Sequence, residues 1–294
     1  MSYQESFLKY LKYEKRYSDL TVVAYKKDLG QFEEFFLKTV GDFDVFRIDN
    51  KLVRLWIVEL MDSGLTPRTV VKKVAALKSF YKYLLKEGII PESKLNNVIL
   101  PKIRKKLPFF VDEKCMNHLL DDVEFGRDFE GVRDKLVISM FYGTGVRLSE
   151  LLNLKDVDVN CAESMIKVLG KRNKERIIPY PKTMNPLIHQ YLEIRDKTFD
   201  KKTDYFFLTA KGEKVYEKLF YRIVHANLSK VTTVDKRSPH VLRHTFATHM
   251  LNNGADLNAV KELLGHANLS ATQIYTHTSL DKIKKVYKQA HPRN

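Results

Sequence analysis

The chain has 294 residues, 44% of them hydrophobic and 30% charged, with a mean hydropathy of −0.33; that is enough apolar content for packed cores at a length that suits two domains. Twelve glycines and nine prolines exclude collagen-like and low-complexity classes, and two cysteines far apart, Cys115 and Cys161, exclude a disulfide framework. The 51 Lys and Arg against 36 Asp and Glu leave a net +15, which favours a polyanionic partner through release of its counterions; a surface tuned for solubility is the reading that charge alone leaves open.

Both halves share the excess: residues 1–105 carry 20 basic and 13 acidic side chains, and residues 106–294 carry 31 and 23. Two basic domains gripping one polyanion fit this better than one binding domain with a neutral passenger. The N-terminus MSYQESFLKYLKYEKRY mixes charge with apolar residues at helical spacing, so it is no secretory signal. No apolar run approaches the roughly 20 residues of a membrane span. A cytoplasmic location, reduced thiols and no membrane partner are expected.

Residues 1–100 read as four helices. Tyr3, Phe7, Tyr10 and Leu11 open the first. Ser18 can cap a second, where Val22, Tyr25, Leu29, Phe32 and Phe36 recur at helical spacing. Asp49 can cap a third through Leu52, Leu55, Trp56 and Leu60, stopping before Gly64. The fourth starts near Pro67 and ends before Gly88, with an apolar stripe of Val70, Val74, Leu77, Tyr81 and Leu84. Arg68, Lys72, Lys78, Lys82 and Lys86 fall on its other half: a basic face suited to a phosphate backbone, or simply a solvated one. LPKIRKKLP, residues 100–108, brackets four cations, Arg104, Lys105 and Lys106 among them, between two prolines and has no periodicity, which marks a linker.

Beyond the linker, 111–122 and 131–142 read as helices. GTG at 143–145 breaks the pattern before a helix from about Arg147 to Leu154. SMIKVL and ERIIPY are short β-like runs around the basic turn GKRNK. Helices resume at 184–197, 214–230, 239–253 and 256–264, and a short one opens at Ser270, whose spacing to Gln273 is that of a capping box.

A metal centre is not expected. Asp121, Asp122, Asp128, Glu130 and Asp134 match no Mg²⁺ or Ca²⁺ loop, and HVLRHTFATH lacks the HExxH zinc pattern. The same segment places His240 and Arg243 on one side of a helix above a packed stripe of Leu242, Phe246 and Met250. Taken singly, His240 reads equally as a capping histidine and Arg243 as a salt-bridge partner. His266 follows a glycine helix stop, with Tyr275 nine residues on, a tyrosine that the core could also claim. Arg147 sits at a helix start with Glu150 one turn later to orient it, or merely to pair with it on the surface.

The ordered set Arg147, Lys171, His240, Arg243, His266 and Tyr275 resembles the active-site set of the tyrosine recombinases. TGVRLSELLNL, GKRNKERIIP, HVLRHTFATHML and LLGHANLSATQIYTH resemble that family's boxes in order and separation. LKSFYKYLLKEG and the ending HPRN resemble its Xer subgroup, the C-type arm slightly more than the D-type.

The resemblance implies a mainly α fold with a small antiparallel β-sheet, arranged as a two-domain DNA clamp. An N-terminal four-helix core-binding domain (1–100) and a basic linker (101–108) lead to an α+β catalytic domain (109–294), whose helix 280–289 serves subunit exchange. It implies a site-specific DNA recombinase that uses neither metal, cofactor nor ATP and resolves chromosome or plasmid dimers. Tyr275 would attack the scissile phosphate to give a 3′-phosphotyrosyl link and a free 5′-hydroxyl. Arg147 and Arg243 would clamp its oxygens, His240 would help deprotonate the phenol, Lys171 would protonate the leaving oxygen, His266 would donate to the phosphate, and Glu150 would position Arg147 or the histidine network. Its partners would be double-stranded DNA, a homo- or hetero-tetramer with a second recombinase, and a DNA translocase. The alternatives are the integrase of a mobile element, which often carries an extra arm-binding domain and is disfavoured by a sequence that opens almost at once on the expected core-binding helices, and an architectural DNA binder, against which the full residue set counts.

Overall fold

The computed structural model describes residues 2–103, 109–170, 175–200, 203–265 and 277–293, without the side chains of 277–283. The expected linker cations Arg104, Lys105 and Lys106 and the helix expected at Ser270 therefore lie outside the described residues. The chain divides into two compact units, Met1–Lys106 and Leu107–Asn294.

The first unit is helical. α1 (Tyr3–Lys9) runs on into a π-helical turn, Tyr10–Glu14, and is followed by α2 (Asp19–Thr39), α3 (Asn50–Asp62) and α4 (Pro67–Lys86). The starts are set by side chains that accept orphan backbone N–H groups: Ser18 from Thr21, Asp49 from Leu52 and Thr66 from Thr69, with Pro67 in the first turn of α4. Phe7, Phe32, Phe36, Trp56, Leu77 and Phe80 fill the core, and the rings of Phe32 and Trp56 meet edge-on at 4.9 Å. Burying each such side chain contributes about 1.5–3 kcal/mol. The whole expected stripe of α4 is buried, but so is Lys73, whose ammonium donates to Asp28 at 2.8 Å and to Gln31. On the outer face Arg68, Lys72, Lys82 and Lys86 are exposed and Lys78 is half-buried; Lys86 lies near Glu14 and Glu87 and over the Tyr10 ring.

The second unit comprises α5 (Glu113–Asp121), α6 (Phe129–Thr144), α7 (Leu148–Leu152), strands β1 (Val159–Asn160), β2 (Met165–Leu169) and β3 (Glu175–Pro179), and helices α8 (Asn185–Thr198), α9 (Glu217–Leu228), α10 (Pro239–Asn252), α11 (Leu257–Leu264) and α12 (His277–Ala290). The sheet is antiparallel in the order β1-β2-β3, with Ile166 opposite Ile178 and Val168 opposite Arg176. α6 is the hub: it is buried along most of its length and packs on α8, α9 and α10.

Two expectations shift, and one strand was not expected. The break expected at 143–145 comes at its last residue, Gly145; α6 runs through Gly143, where a Cβ would come within 2.7 Å of the Met184 side chain. α9 begins at Glu217, not at Lys214, which instead bridges to Leu208 and lays its ammonium over the Tyr205 ring at 3.8 Å. Two-residue β1 is too short to show a period.

The C-terminal helix docks on its own unit. Tyr287 is buried and donates to the Gly143 carbonyl at 2.6 Å, the His291 ring stacks on it, and Arg293 forks onto Asp121. Cys115 and Cys161 are free thiols, and among the described residues no helix is long and apolar enough to cross a membrane.

Candidate active site

α6 ends at Gly145, whose left-handed backbone (φ 60°) turns the chain sharply. Only glycine fits, since a Cβ would lie 2.4 Å from the Phe246 ring and 3.0 Å from Leu264. The turn delivers Arg147 as the N-cap of α7. Glu150, one turn on, reaches back to the Arg147 backbone N–H with Oε2 and accepts from its guanidinium Nη1 with Oε1, both at 2.8 Å.

The pair is not a surface ornament. The Glu150 side chain is 2% exposed and receives a second guanidinium from strand β3: Arg176 donates Nη1 to Oε1 at 2.5 Å and Nη2 to Oε2 at 2.8 Å. Each carboxylate oxygen thus accepts one bond from Arg147 and one from Arg176. Burial works to raise the Glu150 pKa, but these bonds and charges outweigh it and hold the carboxyl below the usual range.

α10 supplies the third guanidinium. Leu242, Phe246 and Met250 are buried, as their stripe predicts, and the half-buried Arg243 projects beside them. Among the described residues it pairs with no carboxylate; Nη1 donates to the Gly145 carbonyl at 2.5 Å and Nη2 to that of Leu264 at 2.6 Å. Burial, and then repulsion from Arg147 and Arg176, push its pKa down to about 9, against the pull of Glu150, so it stays charged at neutral pH. His240 stands exposed in the first turn of the same helix.

The three guanidiniums meet at the end of α11, which Gly265 closes in a left-handed cap. Arg176 Nε donates to the Leu263 carbonyl at 3.2 Å, Arg243 to Leu264, and Arg147 Nη2 to Gly265 at 2.6 Å. Three successive carbonyls at a helix C-terminus, where the helix dipole is negative, therefore take one arginine each. The next residue in the chain is His266. Lys171, His266 and Tyr275 lie outside the described residues. Arg147, Glu150 and Arg243 are brought together, and sequence reasoning missed Arg176. Its signal was there: it falls on the same strand face as the buried Ile178, where a cation needs an acid. Among the described residues no group of three His, Cys, Asp or Glu side chains is placed to hold a metal ion.

Residues 110–281 match the model of the phage integrase family, and residues 5–88 that of the phage integrase N-terminal SAM-like domain. The chain belongs to the phage integrase family. Within it, this chain is a tyrosine recombinase of the Xer type, on the C-type side, an enzyme of DNA strand cleavage and rejoining. It is 38% identical to the tyrosine recombinase XerC of Chlorobaculum tepidum, over 98% of this chain and 93% of that one. To the XerC of Staphylococcus carnosus it is also 38% identical, over 99% and 97%. Among solved structures, a XerH recombinase bound to its palindromic difH substrate in a post-cleavage complex superposes with a TM-score of 0.71 at 25% identity, over 96% and 82% of the chains. A Tn1549 transposon integrase in complex with transposon right-end DNA gives 0.68 at 18% identity over 97% and 99%, a likeness of fold. This recombinase thus has its helical N-terminal unit and its mainly α unit with a three-stranded sheet in the family's order.

Proposed function

We propose that this recombinase acts on double-stranded DNA at a specific site, with Tyr275 as nucleophile and Arg147 and Arg243 as the phosphate clamp, to resolve chromosome and plasmid dimers. One observation carries the reading: the two arginines, from the α6–α7 turn and from α10, converge on adjacent carbonyls immediately before the segment that contains His266 and Tyr275. Among the described residues each gives two of its five N–H donors to the protein, which leaves three for the non-bridging oxygens of a phosphodiester. Held rigidly beforehand, such donors stabilise the charge that builds on those oxygens without reorganising, as a metal would otherwise do.

The step balances without a co-reactant. The Tyr275 oxygen forms a bond to phosphorus, the bond to the 5′-oxygen breaks, and Lys171 supplies that oxygen's proton. A phenol with a pKa near 10 is mostly protonated at pH 7, and His240, exposed in the first turn of α10, would accept its proton. The product is a phosphodiester like the substrate, so the reverse attack by a 5′-hydroxyl needs no ATP. His266 would add a donor to the phosphate.

The basic faces extend the reading. Residues 1–100 would form the core-binding domain, with Arg68, Lys72, Lys78, Lys82 and Lys86 of α4 along the backbone, and 101–108 the linker, with Arg104, Lys105 and Lys106 crossing it. Residues 109–294 would form the catalytic domain of a cytoplasmic enzyme. Helix 280–289 would leave its own unit to dock on a neighbour in a tetramer, built with a second recombinase and activated by a DNA translocase. The test is a phosphotyrosyl trap on a nicked duplex carrying a dimer-resolution-type site. The wild-type chain should form a denaturation-stable adduct, and Tyr275→Phe should bind the duplex equally and form none. An adduct in that variant would defeat the assignment.

A further inference from the structure

We infer that Arg176 is a positioning residue for strand cleavage: without reaching the phosphate, it fixes the Glu150 carboxylate and the end of α11, and through both the guanidinium of Arg147. The inference rests on the phosphate-clamp reading of Arg147 and Arg243 given above.

The Arg176 side chain is 6% exposed against 24% for Arg147, and its Nε, Nη1 and Nη2 are all engaged within the protein. It is sealed off from a ligand, whereas Arg147 is not. Glu150 alone would be a poor orienter. A carboxylate with one partner can swing about its χ angles, but Arg176 holds both oxygens in a planar fork, so each presents its remaining lone pair to Arg147, one to the backbone N–H and one to Nη1.

Arg176 also governs the other anchor of Arg147. Its Nε bonds the Leu263 carbonyl, and its stem packs so tightly on Gly265 that a Cβ there would lie 3.2 Å from Cδ, Nε and Cζ. The Gly265 carbonyl is the one that accepts from Arg147 Nη2. Strand β3 therefore braces both contacts that aim Arg147, and it braces the backbone leading into His266. A lysine could supply the charge but not the two-pronged geometry.

The experiment uses the full chain and a nicked suicide duplex, with binding measured by gel shift and the single-turnover rate of the covalent adduct followed from pH 5.5 to 8.5. Arg176→Met should leave the dissociation constant within about threefold and slow adduct formation about 10²-fold, the scale of a misaimed catalytic group. Arg176→Lys should recover part of that rate. With a cation gone, Glu150 protonates at higher pH, so the acidic limb of the rate profile should move toward neutrality. In a Glu150→Gln background, Arg176→Met should cost about tenfold or less, well under its effect in the wild type, because the route through the carboxylate is already lost and only the brace on the Gly265 carbonyl remains.

Equal slowing in both backgrounds would overturn the inference. So would wild-type cleavage by Arg176→Lys across the whole pH range, and this arm decides the matter if the methionine variant does not fold. Persistence of the adduct in Tyr275→Phe overturns the proposed chemistry instead. Full dependence on Tyr275 together with indifference to Arg176 overturns only the present inference.

Discussion

Glu150→Gln is the sharpest perturbation of the arginine cluster. It keeps the shape of the side chain and one carbonyl acceptor. It removes the negative charge and turns one oxygen into an NH₂ group that faces N–H donors from Arg147 and Arg176. The Glu150 side chain is 2% exposed and that of Arg176 6%, so solvent screens the loss little. Breaking one partner out of a buried, hydrogen-bonded pair costs about 3–5 kcal/mol, and the second unit should lose that much stability at pH 7.

The pH dependence identifies the cause. The folded carboxyl titrates below its unfolded value of roughly 4.3, so its contribution is whole above about pH 5 and drains away as pH falls through the depressed folded pKa. The gap between wild type and variant should be flat from pH 8 to about 5 and close below it, since a protonated Glu150 resembles the glutamine. The assay must report on the second unit. The only tryptophan, Trp56, sits in the first, so urea-dependent hydrogen exchange of peptides covering 148–152 and 175–179 is the suitable measurement. A gap under about 1 kcal/mol at pH 7, or one that widens on acidification, would refute the reasoning.

Other outcomes follow from the same structure. Arg147→Ala and Arg243→Ala should each slow cleavage of a suicide substrate by about 10²–10³-fold while DNA binding persists; undiminished cleavage would count against the clamp. Removing residues 280–294 strips the cover from Tyr142 and Gly143; it should leave half-site binding intact and impair cooperative synapsis, and an unchanged Hill slope would argue against exchange of the tail. Lys73→Met strands the Asp28 carboxylate between α2 and α4 and should destabilise the first unit by about 3–5 kcal/mol, read as a lower urea midpoint of Trp56 fluorescence. Adding Asp28→Leu should restore most of it, because an apolar pair needs no desolvation.

The legible parts of the fold were those fixed by local physics. Ser18, Asp49 and Pro67 mark helix starts because capping and the first-turn geometry of proline act over a few residues, and the α4 stripe is buried as its spacing demands. The break at 143–145 was legible but not which glycine makes it, because one that makes room for Met184 looks the same in sequence as one that makes a turn. Gly145 does the turning, two residues later. Arg147 with Glu150 was legible as a pair from its one-turn spacing. The burial of Glu150 was not, because its second cation comes from a strand 26 residues away. Lys73 was hidden in the same way, on the apolar side of α4, its acid partner lying on α2.

The charge count of the cluster explains why an anion belongs there. Arg147, Arg176 and Arg243 are three cations against one carboxylate, Glu150, an excess of about two charges in a half-enclosed site. The carbonyls of Leu263, Leu264 and Gly265, with the α11 dipole of about half a charge behind them, offset part of it. The rest shows as repulsion, which adds to the larger effect of burial in pulling Arg243 down to about 9 even though it has good acceptors. Packing arginines together without a ligand is thus unfavourable, and the fold sustains it by tying each one to a helix end that cannot move independently of the others. In the proposed clamp, a phosphodiester would bring a negative charge among these three cations. Its binding and the stabilisation of its more highly charged transition state then draw on the same excess, and the second gains more because more charge has gathered on the oxygens.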